Sequence, residues 1–141
     1  MATPRAETNS SHLAGEYFVA AELYRRGYSV AMTLGNAKAI DLFAERETQT
    51  VNVQVKAIRG RKSVGWPITR RKVKDKVVYV FVCLNTPGTS PDFYICTSKE
   101  TRRKVKQYPT RGIINLSQLN TGQFLDRWDK IDAALRPVDS K

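Results

Sequence analysis

Four side chains of this 141-residue sequence stand where an aliphatic group would ordinarily be buried: Glu16, Asp41, Gln54 and Lys56. In the run VNVQVKA, residues 51–57, side chains alternate across an extended strand. Val51, Val53, Val55 and Ala57 take one face, and Asn52, Gln54 and Lys56 take the other. Gln54 and Lys56 are therefore side by side. In the strand before it, Ile40, Leu42 and Ala44 form the apolar row and leave Asp41 and Phe43 opposite. A turn at Thr48-Gln49 makes the two strands hairpin neighbours, which brings Asp41 toward Gln54 and Lys56. Glu16 stands three residues after Leu13, four before Ala20 and seven before Leu23, inside the apolar stripe of a helix. A carboxylate facing a core needs a cation or a hydrogen-bond donor, because an unpaired buried charge is too unfavourable to keep. The residues alone leave two readings open. The strands form an antiparallel sheet with one solvated face, with Glu16 in a simple ion pair to Lys56 or Arg59, or all four side chains gather around something that needs them.

The elements that would position these groups follow from turn and capping residues. Ser10 or Ser11 can cap a helix that runs to Arg26 and stops at Gly27, with Tyr28 as the apolar residue just beyond. Tyr28 to Thr33 reads as a strand, Gly35-Asn36 as a turn, Ala39 to Glu45 as a second strand and Val51 to Ile58 as a third. Arg59 to Lys76 is a basic stretch, interrupted by Gly60, Gly65 and Pro67 and irregular until a helical turn near Arg70 to Lys74. Val77 to Leu84 has no alternation, the pattern of a central strand covered on both faces, and Phe93 to Thr97 would pair beside it after a turn at Pro87-Gly88. Thr97 and Glu100 fit a capping box, so KETRRKVKQ reads as helical until Pro109. Phe124, Trp128, Ile131 and Leu135 make the apolar stripe of a last helix that ends before Pro137. The order α-β-β-β-β-β-α-α predicts an α/β sandwich around a mixed sheet of about five strands. Residues 11–136 would form one domain, with flexible ends at 1–10 and 137–141.

Charge is the outlier in the composition. The sequence carries 24 Lys+Arg against 13 Asp+Glu, a net charge of +11, and a fold gains nothing from that imbalance. Nucleic acid, an anionic membrane and an acidic protein could each explain it. A membrane is the weakest, since the longest apolar run, VVYVFVCL, falls far short of the ~20 residues of a span. MATPRAETNSS lacks the apolar centre of a signal peptide, which predicts a cytoplasmic protein. Cys83 and Cys96 lie inside strand-like runs without CxxC or Cys/His companions and read as buried reduced thiols. His12, with no second His or Cys in range, reads as a surface residue. No Walker loop, GxGxxG or HExxH pattern is present, so nucleoside-triphosphate hydrolysis and zinc-peptidase chemistry find no support.

The segments GEYFVAAELYRRGYSV, GNAKAID and VNVQVK together resemble the PD-(D/E)XK nuclease superfamily, particularly its archaeal Holliday-junction-resolvase and restriction-endonuclease-like branch. The resemblance is clear over Gly15 to Ile58 and weaker over VFVCLN, PDFYI and the Trp128 region. It implies a restriction-endonuclease-like α/β sandwich and a Mg²⁺-dependent DNA endonuclease of resolvase-like, homodimeric type, with Mn²⁺ as a substitute. It also implies that Glu16, Asp41, Gln54 and the backbone carbonyl of Val55 hold the metal while Lys56 orients the attacking water. Two departures stand out. Ala39-Ile40 replaces the proline before the aspartate, and Gln54 replaces the acid of the acid-x-Lys motif. A glutamine still offers a hard oxygen, but it removes one charge from a site where each unit-charge interaction at ~4 Å is worth ~4 kcal/mol gross at an effective dielectric near 20. Less carboxylate desolvation, and the oxygens that a substrate phosphate brings, offset part of that loss.

Lys38, Arg59, Arg61, Lys62, Arg70, Arg71 and Lys72, with Lys74 and Lys76, would lie beside the scissile phosphate and supply affinity and salt dependence without sequence choice. Trp66 could stack on a base or wedge a junction, or pack on the sheet edge. The basic run Lys99 to Lys106 could meet nucleic acid or form a solvated helix face. Two other functions fit the same residues. One is a catalytically silent nucleic-acid-binding module in which Gln54 records a lost metal site. The other is a protein-interaction subunit that meets an acidic partner.

Overall fold

The computed structural model describes residues 4–33, 41–60 and 65–137, with residues 4–9 as backbone only. The expected turn at Gly35-Asn36, the start of the second strand at Ala39 and the basic residues Lys38, Arg61 and Lys62 lie outside the described residues.

The first helix, α1, spans Pro4–Arg25. It begins earlier than a Ser10 or Ser11 cap implies, and proline fits a first turn because its missing N–H has no partner there in any case. Its end matches expectation. Gly27 adopts a φ of 91°, and the Tyr28 N–H donates back to the Leu23 carbonyl at 3.0 Å, which closes the last turn and buries Tyr28.

Strands β1 (Ser29–Met32), β2 (Leu42–Arg46) and β3 (Gln49–Ile58) form an antiparallel meander. The chain then crosses over through a short strand, β4 (Gly65–Pro67), and a 3₁₀ turn at Arg70–Lys72. It returns as β5 (Val77–Cys83), parallel to β3, and β6 (Asp92–Cys96) is antiparallel beside it. The sheet order is β1-β2-β3-β5-β6, as expected for a mixed central sheet. Every residue of β5 is buried, in keeping with its unbroken apolar sequence.

Three regions depart from the sequence reading. Helix α2 (Ser98–Lys104) has the expected Thr97/Glu100 capping box but ends well before Pro109. Val105 turns extended and is buried, which pulls Lys106–Gln107 into a strand, β7, against β8 (Gly112–Asn115). With β4 these make a second sheet in the order β4-β8-β7, followed by a single helical turn, α3 (Leu116–Leu119). Gly65 is required at the β4–β8 contact, since a Cβ there would lie 2.2 Å from the Ile114 carbonyl oxygen. The last helix, α4, spans only Asp129–Ala134, and β9 (Arg136–Pro137) then pairs with the start of β3. Asp126, at a φ of 53°, separates α4 from Phe124.

The stripe Phe124, Trp128 and Ile131 is buried all the same, but in two different cores. Trp128 and Ile131 pack with Val51, Val53, Val55, Val80 and Leu23 on the α1 side of the sheet. Phe124 joins Trp66, Tyr79, Phe81 and Tyr94 on the other. Cys83 and Cys96 are buried and form no disulfide, and burial pushes Cys96 up to about 12. Among the described residues, no helix is long and apolar enough to cross a membrane.

Candidate metal centre and basic pocket

Helix α1 lies against β3 because residue 15 is glycine: a Cβ there would stand 2.6 Å from the Ala57 Cβ. The next residue, Glu16, is thereby carried to the sheet and is 1% exposed. One turn earlier on the same face, His12 places Nε2 2.6 Å from Glu16 Oε2 and 3.8 Å from Asp41 Oδ1. Asp41 is as buried as Glu16.

The backbone around Asp41 explains why a carboxylate can occupy this point. Leu42 is opposite Val53, so a regular ladder would set Asp41 against Gln54, yet the Asp41 N–H donates to the Val53 carbonyl at 3.1 Å. The pairing has slipped by one residue, as at a bulge. The next β3 donor, Val55 N–H, bonds Asp41 Oδ2 at 2.8 Å instead of a backbone oxygen. The Asp41 carbonyl in turn accepts from Thr33 N–H at 3.0 Å and from Thr33 Oγ1 at 3.2 Å. Within a strand the N–H and C=O of one residue point to the same neighbour, so the Val55 carbonyl is also directed to the side where β2 departs.

The structure thus brings Glu16 and Asp41 together, as the resemblance implies, and shows that His12, 40% exposed, turns Nε2 toward both carboxylates. The ligand atoms of His12, Glu16 and Asp41 all lie within 4.8 Å of one another. The signal was in the sequence: His12 is four residues before Glu16 and shares its helix face.

Gln54 and Lys56 leave β3 on the face away from Val53 and Val55, as alternation requires. They line a cavity of about 580 Å³ with Thr69, Lys72, Lys74 and Tyr79. Gln54 Oε1 is buried without a hydrogen-bond partner among the described residues, and so is Thr69 Oγ1. Lys56 is held below the usual lysine range, chiefly by burial. The Asp41 carboxylate opposes that shift and the Lys72 ammonium adds to it. Asp41 therefore acts electrostatically on the cavity as well as on the α1 cluster. His12, Glu16 and Asp41 form a donor set that fits a divalent ion, two buried carboxylates and an imidazole, while Gln54 and Lys56 line the basic cavity and are not part of that cluster.

The basic residues sort into two kinds. Lys72 and Lys74 are exposed beside the cavity, Arg71 is exposed at a neighbouring one with Arg102, and Arg59, also exposed, lies in a separate apolar groove with Phe18 and Leu84. Arg70 is held by the fold: Nη2 donates to the Val105 carbonyl at 2.6 Å and Nε to the Arg102 carbonyl at 3.3 Å. Along Lys99 to Lys106, Arg102 is tied to the Val73 carbonyl and Asp75, while Lys99, Arg103 and Lys106 are exposed. Trp66 is not available to a base. It is buried, with Nε1 donating to the Val82 carbonyl at 3.1 Å and its ring edge-to-face with Phe81 and Tyr94.

A scan against protein-family models finds no match, and neither does a search of curated proteins. Solved structures do match. A bacterial homing endonuclease aligns with a TM-score of 0.61 at 15% identity, covering 88% of this chain and 92% of its own. The Holliday junction resolvase Hjc of the archaeal hyperthermophile Archaeoglobus fulgidus aligns with a TM-score of 0.56 at 10% identity, covering 86% of this chain and 95% of its own. The fold is the restriction-endonuclease-like α/β fold of these two nucleases. Fold alone does not carry activity, which has to be argued from the site.

Proposed function

We propose that this protein is a divalent-metal-dependent DNA endonuclease, with Mg²⁺ or Mn²⁺ as the ion. The observation that carries the reading is the convergence of Glu16 and Asp41, on a helix and a slipped strand end, with Lys56, which feels the Asp41 charge, lining a basic cavity together with Gln54. Glu16, Asp41, the Gln54 amide oxygen and the Val55 carbonyl would hold the ion. When bound, the ion supplies Lewis acidity and a water of lowered pKa. Lys56 donates hydrogen bonds to the attacking water and to the phosphoryl oxygen on which charge develops. Its partial burial makes that donation stronger than in open solvent. Lys72, Lys74 and Arg71 hold neighbouring phosphates of the strand.

The test is cleavage of plasmid, linear duplex and four-way-junction DNA with Mg²⁺ or Mn²⁺, with chelator and Lys56→Ala as controls. Cleavage that requires the ion and Lys56 supports the reading. Binding that weakens steeply with salt but never cleaves would instead favour a silent nucleic-acid-binding module, a reading favoured by the missing charge at Gln54.

A further inference from the structure

We propose that His12 is a direct ligand of this centre, a nitrogen donor that shifts its preference from Mg²⁺ toward first-row transition ions, Mn²⁺ among them; the proposal rests on the metal-dependent reading of the same site. The geometry is that of a ligand. His12 sits one helical turn before Glu16, its side chain 40% exposed, yet Nε2 is turned inward to 2.6 Å from Glu16 Oε2 and 3.8 Å from Asp41 Oδ1. Donors that share one octahedral ion lie about 3 Å apart when adjacent and about 4.3 Å when opposite. The ligand atoms of His12, Glu16 and Asp41, all within 4.8 Å of one another, are on that scale.

The chemistry of the whole donor set gives the preference. Exchanging an acid for Gln54 removes one negative charge, and that loss weakens Mg²⁺ and Mn²⁺ alike. An imidazole restores binding unequally. Mg²⁺ is a hard ion that gains little from nitrogen, whereas later first-row ions accept imidazole readily. An amide in place of a carboxylate, together with a histidine beside the helix glutamate, therefore skews selectivity in one direction. A histidine that served only as the hydrogen-bonded partner of Glu16 would affect both ions equally.

His12 is the only histidine in the sequence, which makes the test unambiguous. Tag-free full-length protein is loaded with Mn²⁺, and the bound ion is counted by electron paramagnetic resonance and probed for ¹⁴N coupling by electron spin-echo modulation. Wild type is expected to bind Mn²⁺ with an imidazole-nitrogen signature. His12→Gln is expected to lose the signature and to bind Mn²⁺ about tenfold more weakly, with Mg²⁺ affinity by competition changed less than about twofold. Mn²⁺ that depends on Asp41 but shows no nitrogen coupling in wild type would overturn the role of His12 and leave the metal centre standing. Absence of Mn²⁺ binding, or binding undiminished in Asp41→Asn, would overturn the centre and the ligand role together. The wild-type spectrum alone decides the matter should His12→Gln fold poorly.

Discussion

Glu100 and Glu16 are both helix carboxylates turned toward the interior, and their surroundings differ in kind. Glu100 is met by donors. It accepts from the Thr97 N–H at 2.9 Å and from the Lys130 ammonium at 2.9 Å, and the same ammonium donates to the Ile95 and Gln123 carbonyls. The group closes a helix cap and ties α2 to α4. Glu16 is met by an imidazole and by a second buried carboxylate, Asp41, so two like charges share one spot. The comparison teaches how to separate a carboxylate that ties two helices together from one that could hold something else: the first faces a lysine, and the second faces another carboxylate.

Moving the helix that carries Glu16 should break the functional half of this contrast most severely. Gly15→Ala forces a methyl against Ala57 and is expected to lower stability by about 2 kcal/mol and to reduce metal-dependent cleavage about a hundredfold. Urea unfolding and single-turnover cleavage check both.

Charge removal should then act oppositely at the two sites. Glu100→Gln leaves Lys130, only 10% exposed, without its carboxylate and should lose about 2 kcal/mol. Glu16→Gln should lose no metal-free stability and could gain up to about 1 kcal/mol, while forfeiting cleavage. Equal destabilisation by both would erase the distinction.

Acid sharpens it further. Burial pushes the Glu100 carboxyl up, but the Thr97 N–H and Lys130 outweigh it, so its pKa lies below the ordinary 4.5. A depressed folded-state pKa stabilises above the unfolded value and loses that contribution as pH falls through the folded one. The urea-midpoint gap between wild type and Glu100→Gln is therefore expected to be full at pH 7 and to shrink below about pH 4.5.

The smallest effects separate the arginines and lysines. Lys72→Ala should lower the salt slope of DNA binding by about 1 and leave stability alone. Arg70→Ala, which frees the Val105 and Arg102 carbonyls, should do the reverse.

Much of this was legible because strand alternation and capping are local. The faces of β3, the covered β5, the Gly27 stop and the Thr97/Glu100 box all follow from spacing, and the meeting of Glu16 with Asp41 follows from the family resemblance. What was not legible depends on distant packing. The stripe from Phe124 to Ile131 has helical spacing, but its members serve two cores on opposite faces of the sheet, which local periodicity does not reveal. Val105 ends α2 because a remote core buries it, and β8 pairs with β4 across a long sequence separation. His12 was missed for a different reason. It has no second His or Cys at metal-like spacing, and its partners are a glutamate one turn on and an aspartate from another element.

The measurement that reaches furthest is Mg²⁺- or Mn²⁺-dependent cleavage of supercoiled plasmid by wild type and by Asp41→Asn, with folding confirmed by thermal unfolding and DNA affinity measured alongside. Asparagine can still accept the Val55 N–H, so the slipped strand end is expected to persist. The expected result is a loss of cleavage of about 10³-fold with fold and DNA affinity kept. Cleavage by Asp41→Asn at the wild-type rate would contradict a metal centre at the junction of α1, β2 and β3.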